Sequence, residues 1–319
     1  VFYVLNHWKI MKNKEENEIS ITIPLTVARG FREVYKKNYL KATQQSGRLL
    51  LFAGDQKIEH LNRDFYGEGI DPAAGDPRHL FEIASKGRIG VFATHLGLIA
   101  RYGESYKDVS YVVKLNAKTN LCSIVDSDPL SVQLVTVEDV LSFERNSGLD
   151  IVGVGYTIYL GSCYEHQMLA QAAQIVLQAH AHGKLVILWI YPRGKSVADE
   201  RTANIIAGAA GVGVCLGADF IKINAPEGQD NFTSAQHLKQ ATNAAGNAKI
   251  ICAGGCKKEM DVFLEEVYHQ IHVGGSAGVA GGRNIYQHSL AQACAFTRAL
   301  SAIIVDDEDV LKAKKLLVT

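Results

Sequence analysis

The stretch "GADFIKIN", Gly217–Asn224, sets a lysine in the middle of an apolar run that reads as a buried strand. Lysine is almost never buried unless it is paired or has chemical work to do. An amine in apolar surroundings can lose its proton, attack a carbonyl and form a Schiff base, which turns the bound carbon skeleton into an electron sink. With a free pKa near ~10.4, only about one amine in a few thousand is neutral at pH 7, so burial or neighbouring cations must depress it. On the residues alone, an ion pair between Lys222 and a carboxylate such as Asp55 explains the same lysine equally well.

Other polar residues end apolar runs in the same manner. Residues two apart share a strand face, so Lys222 and Asn224 point one way, as do Trp189 and Tyr191 in "LWIYPRG". Asp55 closes the run in "LLLFAGDQKIEH", and Lys114 and Asn116 close "YVVKLNAKT". "CAGGCK" and "GVAGGRN" place Gly254-Gly255 and Gly281-Gly282-Arg283 after two further runs. Glycines let backbone amides approach an anion, a following helix N-terminus adds partial positive charge, and Arg283 offers a bidentate contact, so these loops suit a phosphate. Turns would use the same glycines. No His, Cys and carboxylate set has metal-ligand spacing, since His180 and His182 lie two apart on a helix and face different ways, which favours metal-free chemistry. "GVGYTIYLG" lacks the spacing of a dinucleotide-binding loop.

The elements that must position these residues read as strand and helix in alternation. Strands are predicted at 49–54, 89–94, 111–115, 151–156, 185–191, 219–223, 249–253 and 277–280. Between them lie helical patterns such as "DPRHLFEIASKG", "TVEDVLSFERNSG" and "SCYEHQMLAQAAQIVLQAHAHG", opening on Asp, Thr or Ser caps. Eight such repeats predict an α/β fold, a closed (β/α)₈ TIM barrel whose working residues sit at the C-terminal ends of the strands. The expected organisation is an N-terminal helical extension over 1–47, the catalytic barrel over 48–305 and a C-terminal helix over 306–319. Within the extension, "TVARGFREVYKKNYLKATQQ" reads as a basic amphipathic helix that packs on the barrel's bottom or on a neighbour, with a membrane-surface role as the weaker alternative. The tail "DDEDVLKAKKLL" is acidic at its start and basic at its end, as the helix dipole prefers.

The 319 residues fit one barrel with extensions, and 33 basic side chains against 33 acidic ones leave no overall field to draw nucleic acid or an anionic membrane. Six scattered cysteines without a CxxC pair read as reduced, small core residues, in keeping with a cytoplasmic protein. No apolar run approaches the ~20 residues of a spanning helix, and the opening stretch has no cleavage pattern of a signal peptide. Met11 is a candidate natural start, and the sequon at Asn231 carries no meaning in a cytosolic chain.

Five motifs in register, "GYTIYLGSCYEHQML", "LWIYPRG", "GADFIKIN", "AGGCK" and "GVAGGRNIYQ", make the chain resemble the archaeal-type (DhnA-type) class I fructose-bisphosphate aldolases from about residue 48 to 304. The resemblance implies reversible cleavage of fructose 1,6-bisphosphate to dihydroxyacetone phosphate and glyceraldehyde 3-phosphate. It makes Lys222 the Schiff-base lysine, Tyr191 the proton-transferring tyrosine, Trp189 a substrate-lining residue and Asp55 the aspartate that contacts substrate hydroxyls and the reacting nitrogen. Gly254, Gly255, Gly282 and Arg283 match the site for the phosphate on the ketone half, and Lys114 is expected to join the substrate contacts. No cofactor or metal is implied beyond the covalent lysine, and the expected partners are a phosphorylated sugar and further copies of the chain in a homo-oligomer. The family's "DHGIEHG" is here "DQKIEHL", so Gln56, Lys57 and Leu61 depart from the pattern, as does Ala253 where a serine is common. Lys57 then supplies a charge for a second phosphate or stays a solvated loop residue. This altered loop keeps open a related lysine-dependent aldolase, transaldolase or thiolase, similar to amino-dideoxy-heptulosonate synthase, acting on another phosphorylated ketose. A non-catalytic phosphosugar-binding scaffold is the reading outside enzymes.

Overall fold

A computed structural model describes residues 19–123, 127–228 and 233–317; the Asn231 sequon and Met11 fall outside them. Eight parallel strands close into a barrel: β1 Leu49–Ala53, β2 Val91–His95, β3 Tyr111–Lys114, β4 Ile151–Leu160, β5 Leu185–Pro192, β6 Phe220–Ile223, β7 Lys249–Ala253 and β8 Gly278–Gly281. Each pairs with its neighbours in sequence, and β8 returns to β1 with Leu49 opposite Gly278 and Phe52 opposite Gly281. Strands covered on both faces need apolar residues at nearly every position, which is why they stand out as runs in the sequence.

Alternate residues serve two cores. Leu49, Leu51, Val91, Val112, Val152, Ile187 and Phe220 point into the barrel, while Leu50, Phe52, Phe92, Val113 and Val154 face the surrounding helices. Period two along β6 therefore carries the inner face from Phe220 to Lys222, and along β5 from Ile187 to Trp189 and Tyr191. Two strand ends differ from the sequence reading by more than one residue. β4 runs four residues beyond 156, because Thr157–Leu160 pairs with Trp189–Pro192 and so lifts the wall at the mouth. β2 begins at Val91 because Gly90 lies beneath the barrel, where an added Cβ would sit 2.1 Å from the Ala42 carbonyl oxygen.

The helix caps follow their chemistry in two of the three quoted cases. Asp76 accepts from the Arg78 amide, and Thr136 forms a capping box with Asp139 on a helix that ends at Gly148 with φ +66. The third helix, Glu165–Ala181, opens on Tyr164 without a side-chain cap; Ser162 accepts instead from the Tyr164 amide one residue outside it. Cysteines also divide: Cys252 and Cys294 are buried, whereas Cys122, Cys163, Cys215 and Cys256 are exposed, and all six are free thiols.

Helix Arg32–Ala42, shorter than the amphipathic pattern over 26–45, closes the bottom of the barrel. It turns Tyr35, Asn38, Tyr39 and Ala42 inward and leaves Lys36 and Lys37 exposed, so its apolar face is already covered by the barrel. Tyr39 stacks on Phe220 at 5.7 Å, and Asn38 donates to the Gly183 carbonyl at 2.9 Å. Tyr35 donates to Asp219 at 2.6 Å. The other Asp219 oxygen takes the Val186 amide at 2.7 Å and meets His180 Nε2 at 3.1 Å, while Thr26 Oγ1 closes on His180 Nδ1 at 2.6 Å. At the other end of the chain, helix Val310–Lys315 is capped by Asp309 and docks Ala313, which is buried.

Asp219 is thus a buried carboxyl that accepts from Tyr35 and the Val186 amide and meets His180, three residues before Lys222. Asp219→Ala leaves the Tyr35 hydroxyl and the Val186 amide without an acceptor, and unfolding in urea is expected to show a loss of about 3 kcal/mol. A loss under ~0.5 kcal/mol would mean that this network contributes no more than a surface residue.

Candidate active site

Lys222 reaches the C-terminal mouth of the barrel from the inner face of β6, opposite Trp189 on β5 and Ile251 on β7. It is 5% exposed, yet among the described residues no carboxylate lies within 4.0 Å of its Nζ and no hydrogen bond holds it. The ion-pair alternative is therefore not formed. Burial, the largest influence, lowers its pKa to about 8, with Asp55 and Glu59 pulling upward and Lys114 and Arg283 pressing it down. At that value roughly one amine in ten is neutral at pH 7.

Asp55 follows β1, at the entrance to the short helix Gln56–Glu59, and is buried. Burial alone would push its carboxyl up, but Lys222, Lys114 and His95 together hold it below the usual carboxylate range. Lys114, expected to touch substrate, lies behind the cavity wall: it donates to the Asn116 carbonyl at 3.0 Å, stands 4.0 Å from Asp55 and lies 5.5 Å from the centre of the Trp189 ring. His95, at the end of β2, is driven down to about 4 by burial and then by Lys114, so it is neutral at pH 7. Asp55, held ionised, is therefore the carboxylate that acts most strongly on the two buried amines, with Glu59 beyond it.

Tyr191 lines the cavity. Burial first, then the charges of Asp55 and Glu59, raise its phenol well above the ordinary value, so it keeps its proton and can donate it. Beside it stand groups that strand patterns did not single out. Glu59 accepts from the Tyr159 hydroxyl at 2.7 Å, and Arg193 forms a two-point contact with Glu200 at 2.9 and 2.8 Å. His60 also borders the cavity while its Nδ1 engages Asp64. The available signal was period two, which carries β5 from Tyr191 to Arg193; Glu59 and His60 sit in a helical turn that no strand rule reaches.

The glycine-rich wall is more selective than the sequence suggested. The Gly254 amide already donates to the Ala280 carbonyl at 3.0 Å, whereas the amides of Gly255 and Gly282 have no partner among the described residues. Gly255 has φ +69, a conformation that favours glycine. No helix starts at the double glycine: the helix after β7 begins at Met260. Instead Asn284 shapes that loop, donating to the carbonyls of Gly254 and Cys256 at 2.9 and 3.1 Å. Behind Gly282 the short helix Arg283–Tyr286 does start at once, and Arg283 Nε lies 3.6 Å from Asp64.

In the altered loop, Gln56 joins the cavity wall and Ala253 lies opposite, but Lys57 does not line it. Its Nζ donates to the Gly75 carbonyl at 3.2 Å and lies 3.8 Å over the Phe65 ring, which makes it a loop staple rather than a cation for a second phosphate. Leu61 takes φ +56, the conformation that glycine adopts more readily. Among the described residues, no group of three or more His, Cys, Asp and Glu could hold a metal ion, and no helix is long and apolar enough to cross a membrane.

A barrel mouth that joins a strand-borne, partly neutral lysine to an ionised carboxylate and a protonated phenol defines a class of protein built for carbonyl chemistry through an amine. The model of the DeoC/LacD family aldolases matches residues 49–288. The chain is 51% identical over 296 residues to the "fructose-bisphosphate aldolase/6-deoxy-5-ketofructose 1-phosphate synthase" of Methanocaldococcus jannaschii, covering 93% of this chain and 94% of that one. The solved fructose-bisphosphate aldolase from Slackia heliotrinireducens superposes with a TM-score of 0.92 at 52% identity, covering 94% of this chain and 95% of its own. An archaeal fructose-1,6-bisphosphate aldolase, solved with its catalytic lysine covalently bound to the carbinolamine intermediate, superposes at 0.73 with 29% identity, over 85% of this chain and 99% of that one. The chain belongs to the DeoC/LacD aldolase family.

Because Lys114 presses the Lys222 pKa down, Lys114→Met removes a like charge and leaves Asp55 to Lys222 alone; both changes favour the ammonium. The rate at which an amine-selective acylating reagent labels Lys222 at pH 7 is expected to fall by roughly 3- to 10-fold, with its pH midpoint moving upward. An unchanged midpoint would show that burial alone sets the amine.

Proposed function

We propose that the protein is a class I fructose-1,6-bisphosphate aldolase, reversibly cleaving that sugar to dihydroxyacetone phosphate and glyceraldehyde 3-phosphate, with Lys222 as its nucleophile. The observation that carries this reading is the buried Lys222 amine, lowered to about 8 and without an ion pair, at the mouth of the barrel. Neutral Lys222 attacks the C2 carbonyl. Tyr191 gives its proton to the departing hydroxyl, which leaves as water and forms the iminium. Asp55, held ionised, accepts the C4 hydroxyl proton while the C3–C4 electron pair moves into the iminium; the aldehyde departs and an enamine remains. Protonation at C3 and hydrolysis return the free amine. The Gly255 and Gly282 amides with Arg283 suit the phosphate of the ketone half, fixing C2 near the amine, where proximity contributes most. Since the lysine itself supplies the electron sink, this chemistry calls for no metal. Assembly into a homo-oligomer and a cytoplasmic setting belong to the same reading.

One observation favours a second activity at the same lysine. Lys57, the cation introduced by the altered loop, turns away from the cavity, so it gives no charge to an aldehyde half. The relative at 51% identity carries a double name, whose second product bears a single phosphate. Assaying cleavage of fructose 1,6-bisphosphate beside formation of 6-deoxy-5-ketofructose 1-phosphate separates one activity from two.

Borohydride reduction with dihydroxyacetone phosphate or fructose 1,6-bisphosphate, followed by peptide mapping, is expected to place the adduct on the Lys222 peptide and to leave Lys222→Ala unlabelled. Tyr191→Phe is expected to lower kcat by roughly 10²–10⁴-fold. An adduct on Lys114 or Lys57, or none in the wild type, would overturn the assignment of the nucleophile.

A further inference from the structure

The Trp189 indole is almost completely buried, and its Nε1 hydrogen has no acceptor among the described residues. A buried indole normally finds a partner for that hydrogen, so packing rather than hydrogen bonding decides where this ring lies. The space for it comes from Gly155 on β4: a Cβ there would lie 2.2 Å from Cζ3 and 2.5 Å from Cη2 of the ring. Placed in this way, the ring centre is 5.1 Å from Lys222 Nζ and 5.5 Å from Lys114 Nζ, both within the range where an aromatic face attracts a cation.

We propose that the Trp189 ring face is a catalytic group that holds the positive charge of the iminium formed on Lys222, and that Gly155 is the positioning residue that lets it do so. This rests on Lys222 being the Schiff-base lysine. Neutral amine plus ketone plus one proton gives iminium plus water, so a fixed charge appears on a nitrogen that keeps a single N–H. The buried site offers that nitrogen little water, and the ring face takes its place. The charges that face Lys222 are Asp55 after β1, Glu59 in the turn beyond it, Lys114 on β3 and Arg283 after β8, with neutral His95 on β2 behind them. Asp55 also attracts the cation, but in this mechanism it takes up a proton as the bond breaks. The ring's attraction does not titrate.

The chain has two tryptophans, so a Trp8→Phe background leaves Trp189 as the sole one and lets fluorinated tryptophan replace it with almost no change of shape. Each fluorine withdraws charge from the ring face. Apparent affinity for dihydroxyacetone phosphate in borohydride trapping is read at two pH values. At pH 9, above the Lys222 value of about 8, forming the iminium creates charge. Affinity should then fall stepwise with fluorine number, by roughly 3- to 30-fold across the series. At pH 6.5 the resting amine is already an ammonium, charge is conserved, and the series should be nearly flat. A flat series at pH 9, or equal losses at both pH values, would overturn the proposal while leaving the Schiff-base reading intact. Absence of an adduct in the unsubstituted enzyme would instead overturn that reading, and this proposal with it.

Discussion

Everything in the mouth of this barrel depends on one constraint: two lysines are buried around one buried carboxylate, Asp55, with Glu59 beyond it. Had Asp55 closed on Lys222, the pair would be a structural ion pair and the amine would stay charged. Instead Asp55 stands 4.0 Å from Lys114, and Lys222 is left without a contact ion pair among the described residues. Burial then dominates its protonation and brings the amine down to about 8. The same burial raises the Tyr191 phenol, while the two amines hold the Asp55 carboxyl down. The proposed base, acid and nucleophile are set apart by one dielectric environment acting on groups of opposite charge type.

The opposite end of the barrel makes that environment possible. Helix Arg32–Ala42 closes the bottom with Tyr35 and Tyr39, and the Asp219 network ties β6 to β5, to the helix carrying His180 and to this plug. With the bottom covered in this way, Lys222 opens onto the cavity at the mouth. Glycines complete the arrangement by what they lack. Gly155 leaves room for the Trp189 ring, and Gly282 sits against the Gln56 carboxamide, where a Cβ would come within 2.5 Å of Nε2. Both positions need the absence of a side chain rather than an unusual backbone angle.

Much of this was legible before any coordinates. Strands buried on both faces announce themselves as apolar runs, and period two assigned Trp189, Tyr191 and Lys222 to one inner face with Asp55 at the first strand's end. The end of β4 was not legible, because Thr157–Leu160 mixes hydroxyl and apolar residues and its pairing with β5 is a tertiary matter. Lys114 obeys the same periodicity, yet its amine folds back to the Asn116 carbonyl, a rotamer that spacing cannot report. Lys57 is similar: a charge in a loop gives no direction, and only the Gly75 carbonyl and the Phe65 ring explain where it points. Glu59 and His60 reach the cavity through the helical turn after β1, and Arg193 stands just past β5, where its amide donates to the Leu160 carbonyl at the end of the lengthened β4.

The fold itself makes Lys222 a neutral-capable amine in the absence of substrate. Labelling lysine at Cε with carbon-13, assigning Lys222 by comparison with Lys222→Met, and titrating its chemical shift in the ligand-free protein tests this directly. A midpoint near 8, well apart from the exposed lysines, is expected. A midpoint together with those lysines, near ~10.4, would contradict it, since the barrel would then do nothing to prepare the nucleophile.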